Sequence, residues 1–233
     1  MAASETVVAT GADALEYVES QATQALGDLE VGGRGATLLL DPTGTIVAVA
    51  VVRRPDATTV SLEVPAGTGA ATVARLERFA IRAATTFTVT ATEDPGEWFA
   101  DDATRVRAGV PGEAELAHGL VPHGLGASLL ARTVSFTKGC YPGQELVARM
   151  DSRHATPPFV LRGLVADEAI EVGDAVGDDA RPGEVTSVTS RPEGGVVALC
   201  VLHRRDAGGA SVEVRRGERR VLARLVEDPS VRS

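Results

Sequence analysis

The alternation of apolar and polar positions changes character once along the chain. Up to about residue 155 strand-like and helix-like stretches are mixed. Beyond Pro157-Pro158 only short strand-like stretches follow. Residues 6–10 read as a strand that Gly11-Ala12-Asp13 breaks. Residues 14–23 read as a helix, with Leu15, Val18, Ala22 and Leu26 on one face. Two apolar runs, 36–40 and 45–52, flank Asp41-Pro42-Thr43-Gly44. Proline suits the first central position of a turn and glycine the last, so the pair reads as a hairpin. Residues 60–64 alternate as a half-buried strand does. A loop at 65–69 leads to a helix over 70–83 that buries Val73, Leu76, Phe79, Ala80 and Ala83. Arg75, Glu77, Arg78 and Arg82 fall mostly outside that face, as a solvated surface. Residues 87–90 are another strand.

From residue 93 to about 130 the periodicity fades among glycines, prolines and acids. Long irregular stretches inside a domain are commonly functional or lid-like. A helix start is legible at Gln144-Glu145, running to Met150. After the two prolines come short strands at 159–165, 172–176, 184–189, 196–202, 211–214 and 220–225, punctuated by Gly, Pro and Asp. That spacing predicts a small antiparallel β-barrel. The expected class is α+β, with a mixed domain over 1–155 and a barrel over 156–233.

The chain has 233 residues and a formal net charge of −9, with its arginines dispersed rather than striped. General binding to nucleic acid is not expected. Aromatic content of 3% leaves few base-stacking surfaces. No charged segment followed by an apolar core opens the chain, and no apolar run approaches the ~20 residues of a membrane span. The expected setting is the cytoplasm, with Cys140 and Cys200 as reduced thiols. The histidines lack metal-ligand spacing and there is no CxxC pair, so no metal site is predicted. Cys200 lies in an almost wholly apolar strand and reads as a core residue.

The chemistry gathers in Lys138-Gly139-Cys140-Tyr141-Pro142-Gly143-Gln144-Glu145. A cation two residues before the thiol and a helix N-terminus after it both favour a thiolate. Gly139 and Gly143 permit close backbone approach or positive φ. Spacing alone also allows a plain Gly-Pro turn with a half-buried cysteine.

The eight-residue stretch resembles the signature of the YgfZ-type folate-binding proteins. These are relatives of the glycine-cleavage T-protein, an aminomethyltransferase, and their mitochondrial members assist iron–sulfur proteins. Gly11-Ala12-Asp13-Ala14 with Gln21-Ala22-Thr23, Arg105-Val106-Arg107-Ala108-Gly109-Val110-Pro111 and Val121-Pro122 resemble further segments of that family. The chain departs from it at Gln24-Ala25, where Asn-Asp or a lone Asp is usual, and at His123, where Glu is common. The resemblance implies a folate-binding α+β domain followed by the barrel, with tetrahydrofolate in a central pocket. It implies Lys138 and Cys140 as the chemically active pair at the pocket mouth. Tyr141, Gly143, Gln144 and Glu145 would bind the cofactor, and Arg107 and Arg149 would take the glutamyl carboxylates, with Arg105 a further cation. The implied role is support of iron–sulfur cluster assembly or repair, or a folate-linked tRNA modification, with iron–sulfur client enzymes as partners.

Other readings stay open at this stage. A true aminomethyltransferase would need the acidic residues that the T-protein places after its Gly-Gly-Ile turn. The aligned hairpin here reads Gly44-Thr45-Ile46-Val47-Ala48-Val49, with apolar residues at those positions. A folate-independent thiol enzyme would need a base, and His123 and His154 are the histidines nearest in sequence. A noncatalytic binding module is the last alternative.

Overall fold

The structure, a computed structural model, describes residues 3–227 and 229. The first part is built on one antiparallel sheet. Strands β1 (Ser4–Thr10), β2 (Arg34–Leu40), β3 (Ile46–Arg53), β4 (Thr59–Pro65) and β5 (Thr86–Ala91) lie in the order β2-β3-β4-β1-β5. The expected hairpin joins β2 to β3. Asp41 Oδ1 accepts from the Thr43 and Thr45 amides, and Gly44 takes the positive φ of 92° that the turn requires. Period-2 alternation then gives the sheet two apolar faces. Val7, Ala9, Ala50, Val52, Leu62 and Val64 meet the helices α1 (Ala14–Gln21) and α2 (Gly69–Glu77) in one core cluster. Leu38, Leu40, Val49 and Val51 face a second cluster on the other side.

Helix α2 stops at Glu77, short of the expected end at residue 83, and Arg75 points inward rather than to solvent. Its guanidinium donates to the Leu40 carbonyl and to Gln21 Oε1, and lies 4.4 Å over the Phe79 ring. Those partners make burial tolerable for a cation that the helical pattern alone assigns to the surface.

The irregular stretch resolves into short helices: α3 (Asp102–Arg107), α4 (Glu113–Leu116) and α5 (Ala127–Thr133), with a 3-10 turn at Pro122–Gly124. Each spans one or two turns, too few for a 3.6-residue period to register. Helix α6 (Gln144–Ser152) follows the signature. Strands β6 (Phe159–Ala166), β7 (Ala175–Val176), β8 (Gly183–Ser190), β9 (Val196–His203), β10 (Ser211–Arg216) and β11 (Arg219–Val226) then close a barrel in the order β10-β11-β6-β9-β8-β7. The strand expected over 172–176 shrinks to two residues. Gly173 takes φ 87°, and the Asp174 carboxylate turns to accept the Glu171 amide.

Strand β9 shows why its sequence is apolar at nearly every position. Ala198, Cys200 and Leu202 fill the barrel interior, while Val197, Leu199 and Val201 face outward into the cluster beneath the first sheet. The barrel and the first sheet therefore share a core. One buried network reinforces that junction. Arg105 of α3 donates to Glu115 Oε2 (3.0 Å), to the Val110 carbonyl (2.9 Å) and to Ser187 Oγ of β8 (2.8 Å). The Ser187 hydroxyl and the Gly112 amide donate to the same Glu115 carboxylate.

Burial alone would raise the Glu115 carboxyl. The Arg105 charge and the hydroxyl and amide donors overcome it and hold the group below the usual carboxylate range. A depressed carboxyl contributes stability above its unfolded value of about 4.3, and that stability is lost as pH falls through the folded value. Glu115→Gln keeps the shape and removes the buried counter-charge of Arg105, leaving the exposed Asp102 carboxylate, 2.7 Å away, as its ion-pair partner. It should cost about 3–5 kcal/mol at neutral pH. Urea unfolding at a series of pH values should also show a shallower acid-side loss of stability than in the wild type. Parallel acid limbs in the two proteins would contradict the assignment.

Candidate functional site

The signature sits between the end of α1 and the tip of the β2–β3 hairpin. Lys138 carries the connection. Its Nζ donates to the carbonyls of Glu19 (2.6 Å), Ala22 (2.8 Å) and Gln24 (3.3 Å), and Glu19 Oε1 lies 3.3 Å away. An ammonium has three donors, and these meet carbonyls at the C-terminal end of α1 and just beyond it, where the helix carries partial negative charge. The side chain is 4% exposed, and Nζ lies 5.6 Å over the Tyr141 ring. Burial draws the Lys138 ammonium below its ordinary range, and Glu19 pulls the other way. The cation expected to activate the thiol is thus directed into α1.

Tyr141 is buried in the core beneath the sheet, which pushes its phenol upward. Gly143 opens α6 with φ 84°. A Cβ there would stand 2.6 Å from the Asp41 carbonyl oxygen and 3.1 Å from Leu40 Cβ, so only glycine lets α6 start against the hairpin. Thr23 ties the same region from below. Its hydroxyl donates to the Thr133 carbonyl (2.6 Å), and its carbonyl accepts from the Ser135 amide (2.9 Å).

Anchored by Lys138, Tyr141 and Gly143, the loop displays Cys140 at the surface. A Cβ on the neighbouring Gly139 would meet no atom within 4 Å, so the approach is open. Glu145 and Arg149 are exposed on α6 and Gln144 is half-buried. Cys200 lies buried in the barrel, and burial pushes its thiol up to about 12. Arg107 is exposed on α3 and donates to the Ser190 carbonyl at the end of β8 (2.9 Å). His123 stands 6.1 Å from the Phe136 ring, and both of its nitrogens are buried without a hydrogen-bond partner among the described residues. Burial holds that imidazole below its ordinary range, against the pull of Asp151.

A cleft of about 230 Å³ opens elsewhere, where α3 and α5 meet strands β6 and β9. Trp98, Leu129, Leu161 and Leu199 supply its apolar walls, and Glu97, Arg132, Arg162 and Glu227 its polar ones. Arg132 lies 4.4 Å over the Trp98 ring and pairs with Glu97. None of Lys138, Cys140, Tyr141, Gly143, Gln144, Glu145, Arg107 and Arg149 lines it. One signal for the cleft was present in the sequence: the single tryptophan stands in the glycine- and acid-rich stretch.

Two consequences are measurable together. Iodoacetamide should label Cys140 in the folded protein and Cys200 only after unfolding, read by peptide mass spectrometry. Lys138→Met should lower stability by about 3 kcal/mol, because it removes a charged donor and leaves its acceptor carbonyls unmet. Equal labelling of the two thiols, or a Lys138→Met protein as stable as the wild type, would contradict this placement.

No family model matches the sequence, and no curated protein matches it. Among solved structures, the fold is similar to the glycine cleavage system aminomethyltransferase T from Bartonella henselae. The match has a TM-score of 0.76 at 15% sequence identity and covers 98% of this chain and 84% of that one. The chain has the α+β-plus-barrel fold of that aminomethyltransferase.

Proposed function

We propose that the protein binds a reduced folate, tetrahydrofolate, and acts as a YgfZ-type support protein for iron–sulfur enzymes, with Cys140 as the residue on which that support depends. The observation that carries the reading is the cleft at the junction of the two parts of an aminomethyltransferase-like fold. Ligand sites are mostly apolar concavities with a few convergent polar groups, favoured at domain junctions. Trp98, Leu129, Leu161 and Leu199, core residues at its base, give the cleft an apolar floor against which a planar ring could lie. At about 230 Å³ the cleft is smaller than the ~300–1,000 Å³ of sites that swallow a whole drug-sized ligand. It suits the bicyclic head, with the glutamyl tail running outward. Arg132 and Arg162 are the cations in reach of such a tail. The Arg132–Glu97 pair is exposed, so a ligand carboxylate replaces Glu97 at little cost.

Tetrahydrofolate, once bound, would supply a one-carbon carrier. Aminomethyl transfer itself is disfavoured. Ala48 and Val49 stand where the T-protein resemblance expects acids, and both are fully buried in apolar clusters on opposite faces of the sheet. Neither can deliver a proton, and general acid–base assistance is typically worth about 10²–10⁴-fold. An exposed thiol beside an open glycine fits contact with a client protein at the surface.

The single tryptophan lies in the cleft and reports on it. Titration with tetrahydrofolate should change Trp98 fluorescence saturably. Arg132→Ala should weaken binding tenfold or more, since a charge-assisted hydrogen bond is worth about 1.5–3 kcal/mol and about 1.4 kcal/mol is tenfold. Cys140→Ala should bind folate as the wild type does, yet fail to restore iron–sulfur enzyme activity in cells lacking the protein. A wild type without folate binding would remove the reading.

A further inference from the structure

The first sheet has two edges, and the chain treats them differently. The free edge of β2 is blunted. Ala22 forms a bridge with Leu39, the Thr23 amide donates to the Leu38 carbonyl, and Thr23 Oγ1 accepts the Leu38 amide. A register shift between Leu39 and Leu40 bends that strand further. No described strand lies beyond β5. Thr86, Thr88, Val89, Thr90 and Ala91 are exposed, and only Phe87 is half-buried. The strand reads Thr-Phe-Thr-Val-Thr-Ala and has no charge, proline or glycine. Natural edge strands usually carry such residues, or a bulge, to block pairing with another chain. Its pairing with β1 is regular from Thr86 to Ala91 without a bulge.

From this edge we infer that β5 pairs antiparallel with β5 of a second copy of this chain. In a two-fold antiparallel pair the residue on the axis faces itself. Backbone geometry requires that facing residues have their amides and carbonyls turned the same way. With Thr88 on the axis, Phe87 faces Val89 and Thr86 faces Thr90. Thr–Thr and aromatic–β-branched pairs are among the favoured cross-strand combinations. The charges flanking the strand are complementary in the same arrangement. Exposed Arg78 and Arg82 precede it, and exposed Glu93 follows it, beside Asp94, which is already paired with Arg53 of its own chain. Antiparallel pairing brings the basic approach of each copy to the acidic exit of the other. The Thr86, Thr88 and Thr90 side chains share one sheet face, while Phe87 stacks at 5.6 Å on Tyr17 toward the helices. A second copy thus extends the sheet without disturbing the core. A six-residue edge gives a small interface of the concentration-dependent kind rather than an obligate one.

The test is carried out on the full chain. Sedimentation velocity over a concentration series should show the wild type passing from monomer to dimer. Thr88→Lys puts two like charges face to face on the axis and should hold the protein monomeric, with circular dichroism unchanged and an unfolding midpoint equal to that of the wild type at concentrations where the wild type is monomeric. In a Cys140→Ser background, Thr88→Cys should cross-link to a disulfide dimer under mild oxidation, and Thr10→Cys should not. A wild type that stays monomeric at every concentration, with no Thr88→Cys cross-link, would overturn the inference. So would a dimer that Thr88→Lys leaves intact, which would put the contact on another surface.

Discussion

A single ammonium group holds the first helix, the signature loop and a core aromatic ring in one arrangement. Burying a cation costs several kcal/mol unless geometry and hydrogen bonds compensate it. Lys138 finds its compensation in carbonyls at and just beyond the end of α1, the Glu19 carboxylate and the face of Tyr141. The loop cannot shift without breaking those contacts together. Because the lysine is drawn inward, the cysteine two residues on is left at the surface. The helix dipole that follows, at α6, is fixed by the flush contact of Gly143 with the hairpin. Structure and display are thus two results of the same interaction.

The junction between the two parts obeys a similar logic. Strand β9 is apolar on both sides because it lines the barrel with one face and supports the first sheet with the other. A buried polar network at that junction, Arg105, Glu115 and Ser187, is mutually satisfied. The cleft lies beside this rigid seam, between short helices and barrel strands. A binding slot placed there rests on a shared core, which favours a preformed site.

Much of the architecture was legible in the sequence because it is written in local periods. The hairpin at Asp41–Gly44, the alternation of β4 and the punctuated strands after Pro157 all needed only near neighbours. What escaped depended on contacts distant in the chain. Arg75 looks solvated by helical pattern and is buried because Leu40, Gln21 and Phe79 receive it. Lys138 looks like the partner of Cys140 because the two are close in sequence, yet its acceptors lie more than a hundred residues upstream. The family-like signature pointed to a reactive centre, while three of its residues, Lys138, Tyr141 and Gly143, anchor the loop to the fold. The cleft-lining Trp98, Arg132 and Arg162 belong to different elements, and no spacing rule connects them.

Where a reduced folate sits on the molecule is the point on which the functional reading turns. Amide hydrogen exchange with and without tetrahydrofolate measures it directly. Ligand in the cleft predicts slowed exchange around residues 98–109, in α5 and along β6, with the loop over 135–143 unchanged. Slowing confined to that loop and α6, with the cleft unaffected, would contradict the placement.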